Sequence, residues 1–268
     1  MSARVTVPEL GRMKREGRRI VCVTAYDYTF ARLFERAGVD ILLVGDSLGM
    51  VILGYETTLP VTLEQMIYHT QAVVRGASRA LVVSDMPFGV CHGPGPVVMD
   101  AAVRIMKESG CQAIKLEGGA RVADTIRFLA DHHIPVMAHV GLTPQSVHAF
   151  GGFKVQGRGN AAASQVLEDA VAVEQAGAFA VILEGIPSPL AAAVTQRLTI
   201  PTIGIGAGPE CDGQVLVGYD LLGMFDGIKP RFVKHYLDGS AAITTAVTRF
   251  AQEVREGVFP GPEHGFNP

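Results

Sequence analysis

The chain has 268 residues, enough to bury a large core and near the ~250 residues of a complete β/α barrel. Its 48% hydrophobic and 18% charged residues are ordinary for a globular protein, and a formal net charge of -3 leaves no basic footprint for nucleic acid. The opening Met-Ser-Ala-Arg-Val-Thr-Val-Pro lacks the apolar core of a signal peptide, and no apolar run approaches the ~20 residues that span a bilayer, so a cytoplasmic protein with no membrane partner is expected.

Short apolar runs alternate with helical patterns, which predicts parallel strands buried on both faces and joined by crossover helices. In chain order, a strand is expected at 20–25, a helix at 29–37 closed by Gly38, and a strand at 41–45 that ends in Asp46-Ser47. A glycine-rich stretch over 46–61 follows, then a helix at 62–76, a strand at 80–84 ending in Asp85, and a helix at 96–109 closed by Gly110. The next strand, 113–116, runs into Glu117; a helix at 122–131 and a strand at 135–138 lead to His139. After a second long stretch, 140–160, come a helix at 160–176, a strand at 179–183 ending in Glu184, a helix at 189–198 and a strand at 202–205. The eighth strand is placed at 218–225. The repeated helix, glycine, strand phrase favours one α/β domain over 1–268, an eight-stranded parallel β/α (TIM-type) barrel, with an open doubly wound sheet as the alternative.

In such a barrel the loops after the strands face the active site, so 46–61 and 140–160 are candidate lids. Four strands deliver a carboxylate to that rim: Asp46, Asp85, Glu117 and Glu184. Any single one has the plain explanation of capping the next helix, but two are Glu, a poor cap. Carboxylates gathered in one mouth repel unless a cation or raised pKa values relieve them, so a bound divalent metal is the economical reading. Hard oxygen donors without a His or Cys cluster point to Mg²⁺ or Mn²⁺ rather than zinc. Lys115 and Glu117, two apart on one strand, share a face, which is the barrel interior; Lys115 is either a structural ion-pair partner, a recogniser of a substrate carboxylate, or a Schiff-base lysine. His139 shares the face of Met137 and lines the mouth. Asp27 either joins the acidic rim or starts a helix. Gly204-Ile-Gly-Ala-Gly208 is read either as a phosphate loop or as a tight turn. Cys22, Cys91, Cys111 and Cys211 show no paired spacing and are expected to be reduced thiols.

Eight segments, in this order, carry a resemblance over nearly the whole chain: Thr24-Ala-Tyr-Asp27, Leu43-Val-Gly-Asp-Ser-Leu-Gly49, Gly54-Tyr-Glu-Thr-Thr58, Ser84-Asp-Met-Pro-Phe-Gly89, Ile114-Lys-Leu-Glu-Gly-Gly119, His139-Val-Gly-Leu-Thr-Pro-Gln145, Gly204-Ile-Gly-Ala-Gly208 and Asp212-Gly-Gln-Val-Leu-Val217. They resemble the 3-methyl-2-oxobutanoate (ketopantoate) hydroxymethyltransferase family. The resemblance implies a Mg²⁺-dependent transferase that adds a hydroxymethyl group from 5,10-methylenetetrahydrofolate to 3-methyl-2-oxobutanoate, giving 2-dehydropantoate for pantothenate biosynthesis. It implies Asp46, Asp85 and Glu117 as metal ligands, with Asp46, Ser47, Asp85, Lys115 and His139 around the keto acid and Glu184 as proton acceptor. It also implies a homo-oligomer, commonly a decamer. Two positions depart from the family pattern: Val90-Cys91-His92 stands where a small residue and a Tyr are usual, and Gly185 where a Cys or Met is expected. The alternatives are a metal-dependent keto-acid lyase or mutase on a related barrel, although the Lys-Lys-Cys-Gly-like motif of such enzymes is missing, a Schiff-base aldolase using Lys115, and a barrel that binds a metabolite without turning it over.

Overall fold

The computed structural model describes residues 4–93, 95–225, 227 and 230–266, and the chain divides into two compact units, Met1–Val217 and Gly218–Pro268. The first unit contains eight strands: β1 Ile20–Thr24, β2 Ile41–Val44, β3 Leu81–Asp85, β4 Ala113–Glu117, β5 Val136–Gly141, β6 Ala180–Glu184, β7 Thr202–Ile205 and β8 Gly213–Leu216. Each pairs in parallel with the next and β8 pairs with β1, so the sheet closes into a barrel. Its helices are α1 Val7–Arg15, α2 Tyr28–Arg36, α3 Leu48–Val51, α4 Leu63–Gly76, α5 Gly95–Ser109, α6 Ala123–Asp131, α7 Val147–Phe150, α8 Asn160–Gln175 and α9 Ser188–Arg197. The second unit holds α10 Gly218–Leu221 and α11 Gly239–Arg255.

The strands β2 to β7 are almost entirely buried because both faces are covered, and their parity decides what each side chain meets. Ile20 and Cys22, Ile41 and Leu43, Leu81 and Val83, Ala113, Met137, Ala180 and Ile182, Ile203 and Ile205, and Val215 form one buried cluster inside the barrel. Counting two residues on from these along β3 to β6 gives Asp85, Lys115, Glu117, His139 and Glu184. The apolar filling thus occupies the lower layers, and the same alternation delivers the polar residues to the upper rim.

Several elements lie outside the sequence expectation, among them α3, α7 and the long α11, and two of them, α1 and β8, belong to the barrel itself. The helix α1 begins with Pro8 in its first turn, where a missing N–H costs nothing, and its Leu10 and Met13 join the interior cluster. Burying each is worth roughly 2 kcal/mol, so α1 acts as a plug beneath the barrel. The eighth strand is not at 218–225 but at Gly213–Leu216, and Gly218–Leu221 is a helical turn. The strand is only four residues long, with Gln214 facing solvent, so it carries no apolar run. Gly213 is required there: a Cβ would lie 2.4 Å from the Ile20 carbonyl oxygen in β1.

Asp27 caps α2, its carboxylate accepting from the Phe30 N–H at 2.9 Å, so it is a helix start and not part of the rim. The glycines after β7 are explained by backbone demands. Gly206 and Gly208 have φ of 60° and 85°, and a Cβ on Gly208 would collide with Ser188. Among the described residues no helix is long and apolar enough to cross a membrane. Within the second unit, α11 leaves Ile243, Val247, Phe250 and Val254 exposed at helical spacing along one face.

Candidate active site

The ends of β2 to β6 converge on one buried polar cluster. Asp46, Asp85, Lys115, Glu117 and His139 are each at most 4% exposed. Asp46 follows β2 and is anchored through its backbone, whose N–H donates to Asp85 Oδ2 at 3.0 Å. Lys115 Nζ lies 2.6 Å from Asp85 Oδ1 and 3.5 Å from Glu117 Oε1. Beyond Glu117 the chain of charge continues: His139 Nδ1 is 3.4 Å from Glu117 Oε1, and His139 Nε2 is 3.2 Å from Glu184 Oε2. Both imidazole contacts are at ion-pair distance without the alignment of hydrogen bonds. Glu184, at the end of β6, is the least enclosed of the set, with 15% of its side chain exposed.

Ser47 opens α3. Its Oγ is 2.9 Å from the buried Tyr26 Oη, which accepts from Thr24 Oγ1 at 2.8 Å. Gln145, which has no expected role in the sequence, sits among the acids. It lies in the helical turn Pro144–Ser146 after β5, and its side-chain amide donates to Asp46 Oδ2 at 2.8 Å and to the Met86 carbonyl at 3.0 Å. Its backbone N–H donates to Glu117 Oε2 at 2.9 Å. The quoted motif His139-Val-Gly-Leu-Thr-Pro-Gln145 contained it, but contacts across the barrel are invisible along one strand.

Electrostatics follow from burial and neighbours. Burial pushes the Asp46 carboxyl well above the usual range, and Asp85 and Glu117 add to the shift. Asp85 is also raised by burial, which outweighs the ammonium of Lys115. For Lys115, burial favours the neutral amine, but Asp85, Glu117 and Asp46 prevail and hold it charged above the ordinary lysine range. Glu117 resists its own burial and falls to about 2, because Lys115 and His139 face it. His139 rises to about 9: burial and Lys115 oppose its charge, and Glu117 and Glu184 outweigh them.

The donors suit a hard divalent cation in type, being all oxygen, strongly buried and acidic, with Gln145 Oε1 a further buried oxygen that no donor among the described residues reaches. Among the described residues, no three His, Cys, Asp or Glu side chains stand at ready ligating geometry; Lys115 is the cation nearest Asp85. Beside Glu117 and Gln145 opens a cavity of about 290 Å³, walled also by Leu59, Phe88, His92 and His148.

The atypical loop forms a single turn, Val90–His92, with Cys91 buried and its thiol pushed up to about 12 by burial and the nearby carboxylate of Glu117. All four thiols are buried and unpaired. Gly185 has φ of 57°, a conformation that favours glycine, and a Cβ there would meet Leu142 at 3.1 Å.

Among solved structures the chain is similar to phosphonopyruvate hydrolase in complex with oxalate and Mg (TM-score 0.63, 14% identity, 97% of this chain and 91% of that one). It is similar also to 2,3-dimethylmalate lyase, a PEP mutase/isocitrate lyase superfamily member (TM-score 0.63, 18% identity, 98% and 91%). These likenesses establish the barrel fold. In sequence it is 60% identical over 266 residues, 99% of each chain, to the 3-methyl-2-oxobutanoate hydroxymethyltransferase of Magnetococcus marinus. It is 56% identical to that of Ralstonia nicotianae, over 98% of this chain and 95% of the relative, and 53% identical to that of Trichlorobacter lovleyi, over the full length of both. The family model described as ketopantoate hydroxymethyltransferase matches residues 4–262. The chain belongs to the ketopantoate hydroxymethyltransferase family.

Proposed function

We infer that this protein transfers a hydroxymethyl group to 3-methyl-2-oxobutanoate, giving 2-dehydropantoate, and that Mg²⁺ and 5,10-methylenetetrahydrofolate take part. The observation that carries this reading is the buried array of Asp46, Asp85, Lys115 and Glu117 joined through His139 to Glu184, in a chain 60% identical to a named relative. Overall, the keto acid, the methylene group of the folate and one water become 2-dehydropantoate and tetrahydrofolate, and we assign the reaction to pantothenate biosynthesis.

Asp46, Asp85 and Glu117 would hold the cation, which when bound supplies a Lewis acid for the ketone oxygen of the substrate. The Lys115 ammonium faces the substrate carboxylate and offsets its charge, and the Ser47 hydroxyl, fixed by Tyr26, donates to it. Glu184 accepts the proton from C3 of the keto acid; its partial exposure leaves it able to pass that proton on. His139, between Glu117 and Glu184, orients the base and keeps its charge balanced. The carbon freed of its proton then bonds to the one-carbon unit; of the two C–N bonds of that unit one gives way to this C–C bond and the other to the C–O bond from water, and the proton from C3 and one from water end on the two folate nitrogens. The cavity of about 290 Å³, at the lower edge of the roughly 300–1,000 Å³ of small-molecule sites, supports placing the ring of the folate between Phe88, His92 and His148. The exposed apolar face of α11 supports a homo-oligomer.

A Schiff-base role for Lys115 needs a neutral amine, and the carboxylates around it hold it charged. The test is turnover with Mg²⁺ and with chelator for the parent and for Glu184→Gln, together with exchange of the C3 proton in heavy water without folate. Metal-dependent product and exchange that both fall by about 10²–10⁴-fold in the variant support the assignment. A parent that makes no product with any divalent metal would overturn it.

A further inference from the structure

Gln145 is 6% exposed, and every donor it owns is spent. Its two amide hydrogens go to Asp46 Oδ2 and the Met86 carbonyl, and its backbone N–H goes to Glu117 Oε2. Met86 is itself tied down, its N–H donating to the Lys115 carbonyl at 2.8 Å. One residue from the turn after β5 therefore links the side chain that follows β2, the backbone beyond β3 and the side chain that ends β4. The turn delivering it is stiff: Pro144 starts it, the Ser146 N–H donates to the Thr143 carbonyl at 2.8 Å, and Thr143 Oγ1 donates to Ser146 Oγ at 2.8 Å.

The orientation of the amide is fixed by chemistry. The Met86 carbonyl can only accept, so turning the amide over would set oxygen against oxygen there. Oε1 is consequently pinned where no donor among the described residues reaches it, although it is buried beside the acids. A rigidly held, buried acceptor without a donor is unfavourable in a core and useful in a site, because a ligand that brings the donor regains the lost hydrogen bond.

We propose that Gln145 is a positioning residue: its amide and backbone hold Asp46 and Glu117 in one array, and its Oε1 accepts a hydrogen bond from a hydroxyl or water that enters with the bound ligand. This rests on the reading of Asp46 and Glu117 as groups that hold the cation and keto acid. Outer partners of this kind typically change metal affinity or activity by about 10–100-fold.

The test compares Gln145→Met, which keeps length and volume but neither donates nor accepts through an amide, with Gln145→Ala. Mn²⁺ binding to the free enzyme is read by electron paramagnetic resonance, keto-acid KM and kcat by steady-state assay, and folding by circular dichroism. If positioning is the role, both variants lose Mn²⁺ affinity about tenfold or more and keto-acid KM rises, while the circular dichroism of both matches that of the parent. If Gln145 only fills space, Gln145→Met matches the parent and only Gln145→Ala suffers, which overturns the proposal. A crystal structure of the parent with Mg²⁺ and keto acid tests it without any variant: a donor within hydrogen-bond reach of Oε1 is expected, and an Oε1 still without one refutes the acceptor role. A parent that neither binds Mn²⁺ nor exchanges the C3 proton fails differently, removing the functional reading and this proposal together.

Discussion

Lys115→Met probes the charge balance of the site most directly. Methionine matches the length of the lysine stem, so packing is nearly conserved and the change removes one thing, the ammonium 2.6 Å from Asp85 and 3.5 Å from Glu117. What remains is three buried carboxylates with His139 as the only nearby cation among the described residues. Removing one partner of a buried ion pair costs about 3–5 kcal/mol, because the other charge is left uncompensated. For a chain of this length each kcal/mol moves Tm by about 2–4 °C, which gives a fall of roughly 6–20 °C in the presence of chelator at pH 7.5. The sign of the pH dependence follows from the protons. With the ammonium gone, Asp85 and Glu117 are held less strongly ionised, so the folded variant binds more protons than its unfolded chain and loses stability as pH rises. The parent keeps Lys115 charged throughout, since its raised pKa lies above the whole range. The deficit therefore widens from pH 5 to pH 8. Thermal unfolding of both proteins across that range is the assay. A Tm loss under about 3 °C would show that the ammonium is not what keeps the acids buried, and a larger loss independent of pH would assign it to packing.

Two further outcomes follow from the same cluster. His139 has a folded pKa of about 9, above the ordinary 6.5, so its contribution is fully present below pH 6.5 and is lost as pH rises through 9; a parent minus His139→Gln difference in Tm should shrink over that window, and one that grows would reverse the assignment of its charge. Tyr26→Phe removes the hydroxyl that holds Ser47 Oγ, worth about 0.5–1.5 kcal/mol, so keto-acid KM should rise roughly 2- to 10-fold with the rate of C3 proton exchange at saturation little changed; an unchanged KM would release Ser47 from substrate binding.

The fold was legible wherever an element announces itself by a run or a period. Seven strands register as apolar runs because parallel strands covered on both faces need nothing else, and the six crossover helices register by period, three of them also by a closing glycine, Gly38, Gly110 and Gly177. Two of the elements that the sequence did not announce, β8 and α1, lean on partners far away in the chain. The strand β8 is held by the pairing of Gly213 with Ile20 and of Val215 with Cys22, nearly two hundred residues away, and its four residues bear no local mark. The helix α1 buries only Leu10 and Met13, too narrow a stripe to separate from a polar surface segment until the barrel floor that receives it is known.

The site divides along the same line. A strand end states where a side chain will stand, so the alternation in Ala113-Ile-Lys-Leu-Glu117 was enough to put Lys115 and Glu117 on the interior face. It could not state which atoms would meet. That Lys115 lies nearer Asp85 than Glu117, that His139 bridges Glu117 and Glu184, and that Gln145 ties Asp46 to Glu117 all depend on the stagger between neighbouring strands. Carboxylates are conspicuous in a sequence because burying them is expensive; an amide that makes their burial tolerable is ordinary in composition and acquires its meaning only from the three chain segments it joins. In barrels of this kind, the residues most exposed to misreading from sequence are therefore the neutral polar ones in the turns just past the strand ends, where one side chain can reach two strands at once.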